Sequence, residues 1–81
     1  MIISGDTKIK VSRTALYEVV SDTSVVFSLV KGADLALCEV KDNNRCEIKT
    51  NTKGQIGEIV LKAENEAGDT ATKTIEIIPL W

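Results

Sequence analysis

The chain has 81 residues, 43% of them hydrophobic, with only three aromatics: Tyr17, Phe27 and Trp81. That composition suits one globular domain with a core of Ile, Val, Leu and Ala and excludes a disordered chain, and 81 residues are enough for one domain and not two. Ten basic and twelve acidic side chains are spread along the sequence for a net charge of −2, which excludes the concentrated basic face of a nucleic-acid binder.

Turn residues recur every 8–12 positions or so, and β-branched residues fill the intervals, the pattern of a sandwich or barrel. Ile2-Ile3 opens a first edge strand, which Gly5-Asp6 interrupts and Lys8 to Val11 continues after a kink. Ser12-Arg13 turns the chain into Ala15–Val20, where Ala15, Tyr17 and Val19 share a face. A helix over Thr14–Val20 is the only helical competitor, and the β-formers in it favour a strand. Ser21-Asp22-Thr23-Ser24 is a polar turn. Val25–Val30 follows, with Val25, Phe27 and Leu29 on one face and Phe27 as the expected centre of the core. Lys31-Gly32-Ala33-Asp34 ends it.

Leu35–Val40 and Cys46–Thr50 flank Lys41-Asp42-Asn43-Asn44-Arg45, a hairpin whose turn residues tolerate left-handed backbone. Lys53-Gly54 is another turn. From Gly57 the sequence alternates through Ile59, Leu61 and Ala63 to Asn65-Glu66-Ala67-Gly68, then returns as Thr70–Ile78. This is the clearest hairpin signal in the chain, with Gly68 expected at positive φ. Pro79 cannot donate to a ladder and marks the end of pairing. The count is seven strands, or eight if the first is split. The expected core is Val11, Tyr17, Val19, Phe27, Leu29, Val40, Ile48, Ile59, Leu61, Ala63, Ile75 and Ile77.

The run Gly57-x-Ile59-x-Leu61-x-Ala63-x-Asn65-x-x-Gly68 resembles the penultimate strand and last hairpin of bacterial and phage immunoglobulin-like domains of the group 2 type. The segment from Cys38 through Thr50 to Gly57 is similar to the compact hairpin that precedes a glycine-led strand in those domains. The resemblance implies an all-β, Ig-like antiparallel β-sandwich of about seven strands. It stops short of antibody-type domains. The core disulfide is absent, Gly57-Glu58 stands where a corner tyrosine belongs, and Phe27 replaces the central tryptophan.

Candidate chemistry is sparse. Cys38 and Cys46 are the only cysteines. With Asn43-Asn44 as a two-residue turn they point to different faces; with an odd-length loop they are diagonal neighbours. Either offset disfavours a disulfide, so free thiols are expected. Two Cys without His do not close a zinc site unless two carboxylates join them. Asp6, Asp22, Asp34, Asp42 and Asp69 fall in turns, where Asp is an ordinary turn former, and no EF-hand loop is present. The chain has no His, the commonest general base near neutral pH. Ser4, Ser12, Ser21, Ser24 and Ser28 lack a partner base, and the glycines form no phosphate loop. Sugar-stacking sandwiches use two or more exposed aromatics; here Trp81 stands alone, since Tyr17 faces inward.

No enzyme activity, catalytic residue, cofactor or metal ligand is therefore expected. Residues 1–81 read as a single Ig-like domain taken from a longer multidomain protein. The expected role is that of a non-catalytic structural or adhesive tandem module in a bacterial cell-surface or phage virion protein. Its expected partners are neighbouring domains of the same chain, another protein or a cell-surface polymer, with no nucleic acid and no membrane insertion. The rival reading is an accessory module of a secreted hydrolase, binding carbohydrate or calcium. Met1 to Ser4 lacks the basic and apolar segments of a secretion signal.

Overall fold

The computed structural model describes all of residues 1–81. Eight strands form in chain order: β1 (Ile3–Ser4), β2 (Lys8–Lys10), β3 (Thr14–Val19), β4 (Val25–Lys31), β5 (Ala36–Asp42), β6 (Arg45–Thr50), β7 (Gly57–Asn65) and β8 (Thr70–Ile78). They make two four-stranded sheets, ordered β1-β3-β6-β5 and β2-β8-β7-β4. Side chains alternate in and out along each strand, and the inner faces meet in one β-sandwich core. No helix forms, so Thr14–Val19 is a strand as its β-formers dictate.

The first strand is indeed split, and the split places its halves in different sheets. β1 pairs antiparallel with β3, while β2 pairs parallel with β8, Ile9 lying opposite Ile77. The expectation of a wholly antiparallel sandwich is corrected at this one ladder. Tyr17 fixes the crossover between the sheets: its hydroxyl donates to the Asp6 carbonyl at 2.7 Å. Gly5 lies directly over the ring, and a Cβ there would fall 2.6 Å from Tyr17 Cε1. Its φ of 148° is also a conformation that side-chain-bearing residues rarely adopt.

The centre of the core is Tyr17 and Val19 of β3, Cys46 and Ile48 of β6, Ile59, Leu61 and Ala63 of β7, and Ile75 and Ile77 of β8, each at most 1% exposed. Phe27 is buried but not central. It sits on β4, at the edge of its sheet, while β7 takes the middle. Leu29 is half-buried against the core. Val40 is a second correction: it is 59% exposed. The inward row of edge strand β5 runs from buried Ala36 through half-buried Cys38 to exposed Val40. Twisted sheets splay at their corners, and a bulge between Val40 and Asp42 turns the strand end away. Ile3, Ile9, Val25, Ala36, Cys46 and Thr50 are buried outside the expected set.

The β7–β8 turn follows the sequence expectation. Gly68 has φ 88°, its N–H donates to Asn65 O, and Asn65 N–H donates to Asp69 O. The Asn65 side-chain oxygen also accepts from Ala67 N and Asp69 N. The β5–β6 turn combines both sequence alternatives. Asp42 pairs with Arg45 across Asn43-Asn44, and the bulge then sets Val40 opposite Cys46 and Cys38 opposite Ile48.

The molecule measures 39 × 19 × 17 Å. Strand directions put the β3–β4, β5–β6 and β7–β8 turns at one pole with the start of β1. The β2–β3, β4–β5 and β6–β7 connections lie at the other pole with the end of β8.

Candidate functional site

Both poles are tied down by hydrogen bonds, some backbone to backbone and others side chain to backbone. At the β1 pole, Val19 N–H donates to Asn44 O, and Asn44 Nδ2 donates back to Val19 O. Val25 N–H donates to Asn43 O, so the β5–β6 turn bridges the two sheets. Glu66 N–H donates to Thr23 Oγ1, linking two turns. At the β8 pole, Asn51 is the hub. Its Nδ2 donates to Leu35 O and Gln55 O, and its Oδ1 accepts from Lys53 N and Gln55 N. Thr50 Oγ1 donates to Arg13 O at 2.6 Å and accepts Arg13 N–H at 3.0 Å, which explains why a threonine is buried in the core. Ser12 holds φ 71° in the tight turn closed by Arg13 N–H to Lys10 O.

The five turn aspartates do not converge. Asp22, Asp42 and Asp69 belong to the β1 pole, Asp34 to the opposite pole and Asp6 to the crossover between sheets. Asp42 is used locally, pairing with Arg45 at 2.6 Å and accepting Asn44 N–H, and these, Arg45 above all, hold its carboxyl below the usual range. No three His, Cys, Asp or Glu side chains gather as a metal-ligand set.

Cys38 and Cys46 are free thiols on neighbouring strands, offset diagonally by the register. Contact with the Cys38 thiol, and then burial, push Cys46 well above the ordinary thiol value. A protonated, enclosed thiol is a poor nucleophile. Of the five serines expected to lack a partner base, only Ser21 makes a side-chain hydrogen bond, accepting Thr23 N–H.

The outer face of β5 and β6 carries a mixed-charge cluster. Glu39 lies directly opposite Glu47, an arrangement that alone would repel. Lys49 at 2.7 Å and Lys41 at 3.0 Å from Glu39 offset it, and both lysines also reach Glu47. These hydrogen bonds pull the Glu39 carboxyl down to about 2. Charged side chains on an edge strand discourage pairing with another chain, and this is the role the cluster fits.

Two open grooves flank the β8 pole. One, of about 350 Å³, lies between the β4–β5 and β6–β7 connections. The other, of about 370 Å³, runs past Val11, Ile56 and Leu80 to Trp81. Trp81 is 99% exposed, and Tyr17 is enclosed, so the two aromatics offer no common stacking platform. Every buried side-chain polar atom in the molecule has a hydrogen-bond partner. The sequence reading did not anticipate the second groove. Its signal was Ile56, an apolar residue among polar turn residues just ahead of β7.

No protein-family model matches the chain, and no curated protein or solved structure matches it significantly.

Proposed function

We propose that this domain is a non-catalytic structural module of immunoglobulin-like type, a spacer or adhesive unit within a bacterial cell-surface or phage virion protein. The observation that carries the reading is axial. β1 starts at one pole of a 39 Å long axis and β8 ends at the other, so a chain passing through the domain advances by its full length. Such a module extends a protein without needing a pocket. The strand order supports the Ig-like assignment: lettered in sequence, β1-β3-β6-β5 is the A-B-E-D sheet and β8-β7-β4 the G-F-C sheet of constant-type domains, with β2 as a strand that switches sheets. Both inner faces are spent on one aliphatic core, and the grooves are shallow surfaces lined by turns. Contacts with another protein or a surface polymer then fall on the poles or the sheet edges.

The test is thermal melting followed by NMR, with and without calcium or simple sugars. The module reading predicts no shift with either. A saturable shift mapped to one loop cluster would replace it with the accessory ligand-binding reading.

A further inference from the structure

The two poles differ in shape and in charge. At the β1 pole Ile3 pairs with Val19, and the same ladder carried one residue further sets Ile2 beside Val20. These two are 78% and 84% exposed and stand as an apolar knob. The same pole carries Glu18, Asp22, Glu66 and Asp69, none in an ion pair, although Glu18 lies opposite Arg45 across the β3–β6 ladder; the Met1 ammonium beside Ile2 is the one further cation. The nearby cations Lys41 and Arg45 are engaged with Glu39, Glu47 and Asp42.

At the β8 pole the groove of about 370 Å³ runs between Val11, Ile56, Pro79, Leu80 and Trp81. Ile56 is 53% exposed and Trp81 99%. Lys10, Arg13 and Lys53 are exposed here without ion-pair partners, against the Asp34 carboxylate and, in the 81-residue chain, the α-carboxylate of Trp81. Lys31 and Lys49 are held by Glu58 and Glu39. One pole is thus a knob rimmed by carboxylates, and the other a groove with an excess of free cations.

We propose that a second copy of this domain docks end to end on the first, the Ile2–Val20 knob of one seated in the Ile56–Leu80–Trp81 groove of the next. This deepens the spacer reading and rests on it. Like poles meeting would bring the excess of carboxylates against itself, or the excess of cations against itself. Unlike poles meeting match both polarity and charge. The contact is heterologous, so it repeats along a line rather than closing a dimer.

Its strength is bounded by size. A cross-section of 19 × 17 Å allows roughly 600 Å² buried over both partners, below the ~1,000 Å² of a stable interface. Separate copies then associate only weakly. Copies joined in one chain hold their poles at millimolar effective concentration, where so small a contact becomes populated. Steering by exposed charges also weakens with salt.

The experiment is a concentration series of the 81-residue chain over roughly 0.05–2 mM, the range so small a contact requires. It follows backbone amide shifts and the fluorescence of Trp81, the only tryptophan. The expected result is concentration-dependent shifts at both poles, centred on Ile2, Val20 and Asp22 and on Lys53, Ile56 and Leu80. Trp81 emission should move to the blue, and added salt should reverse both changes. Lys53→Glu alone and Asp22→Lys alone should each lose the dependence while melting as the parent does. A mixture of the two variants should regain it, because the altered knob then meets the altered groove. Shifts absent across the range, confined to one pole, or clustered along the edges of β4 or β5 would overturn the proposal, as would a mixture that stays monomeric. Those failures would leave a loose string of spacers. A calcium or sugar shift, read separately, removes the spacer reading itself.

Discussion

Removing the hydroxyl of Tyr17 tests how the chain crosses between the two sheets. Tyr17 is 1% exposed and its hydroxyl donates to Asp6 O at 2.7 Å. Tyr17→Phe keeps the ring under Gly5 and deletes only that bond. A hydrogen bond of this kind contributes about 0.5–1.5 kcal/mol net. The Asp6 residue is exposed, so water reaches the freed carbonyl and the cost stays near 1 kcal/mol. For a domain of this size that lowers Tm by about 4–8 °C. Gly5→Ala drives a methyl into the same ring and adds strain at φ 148°; it should cost more, about 2–4 kcal/mol.

The phenol also reports on itself, being the only one in the chain. Burial first, then the nearby Asp6 carboxylate, raise Tyr17 well above its ordinary value of 10.0. The unfolded phenol ionises near 10, the folded one only well above it. The contribution is therefore complete below pH 10 and is lost as pH climbs further, because unfolding then releases a proton. Absorbance should show no phenolate in the native protein at about pH 11, with the signal appearing only as the domain unfolds. Normal titration of Tyr17 in the folded state, with Tyr17→Phe melting like the parent, would refute the crossover account.

Three further outcomes follow from the same geometry. Phe27→Ala should cost about 3–5 kcal/mol, whereas Val40→Ser should stay within about 0.5 kcal/mol; denaturant melts giving the reverse order would mean that the inner face of β5 is covered. Gly68→Ala has open space around it, so only the backbone strain at φ 88° counts, about 1 kcal/mol, and Gly68→Asn should be milder because Asn tolerates that region. A carboxyl NMR titration should place Glu39 near 2 rather than near its ordinary 4.5, so its contribution is present above about pH 4.5 and fades as pH falls towards 2; a midpoint near 4.5 would mean that Lys41 and Lys49 do not hold it in solution.

Local signals carried much of this fold. The alternation through Ile59, Leu61 and Ala63 gives β7 its inner face, and Asn65 to Gly68 gives the turn, because both depend on neighbours in sequence. The burial of Tyr17, Val19, Ile48, Ile75 and Ile77 follows from the same period of two. Long-range choices were not legible. Lys8-Ile9-Lys10 does not announce that it will run parallel to β8; that partner is set by the Tyr17–Asp6 bond and by Glu76 N–H donating to Thr7 O. Phe27 lost its central place because sheet order, not side-chain size, puts β4 at an edge. Val40 keeps the right period and is exposed only because the corner of the sandwich splays. Thr50 reads as a surface threonine until Arg13, distant in sequence, supplies the two shorter hydrogen bonds of its hydroxyl. The surfaces at the two poles were hidden for a similar reason: Ile2 and Val20 become neighbours only through the β1–β3 register.

The claim on which the functional reading stands is that the chain passes along the long axis of the domain. Small-angle X-ray scattering of two copies joined from β8 to β1 by a short linker measures this most directly. The account predicts a maximum dimension about twice the 39 Å length of one domain, with a narrow cross-section close to that of the single copy. A pair folded side by side, with a maximum dimension little greater than that of one domain, would contradict it.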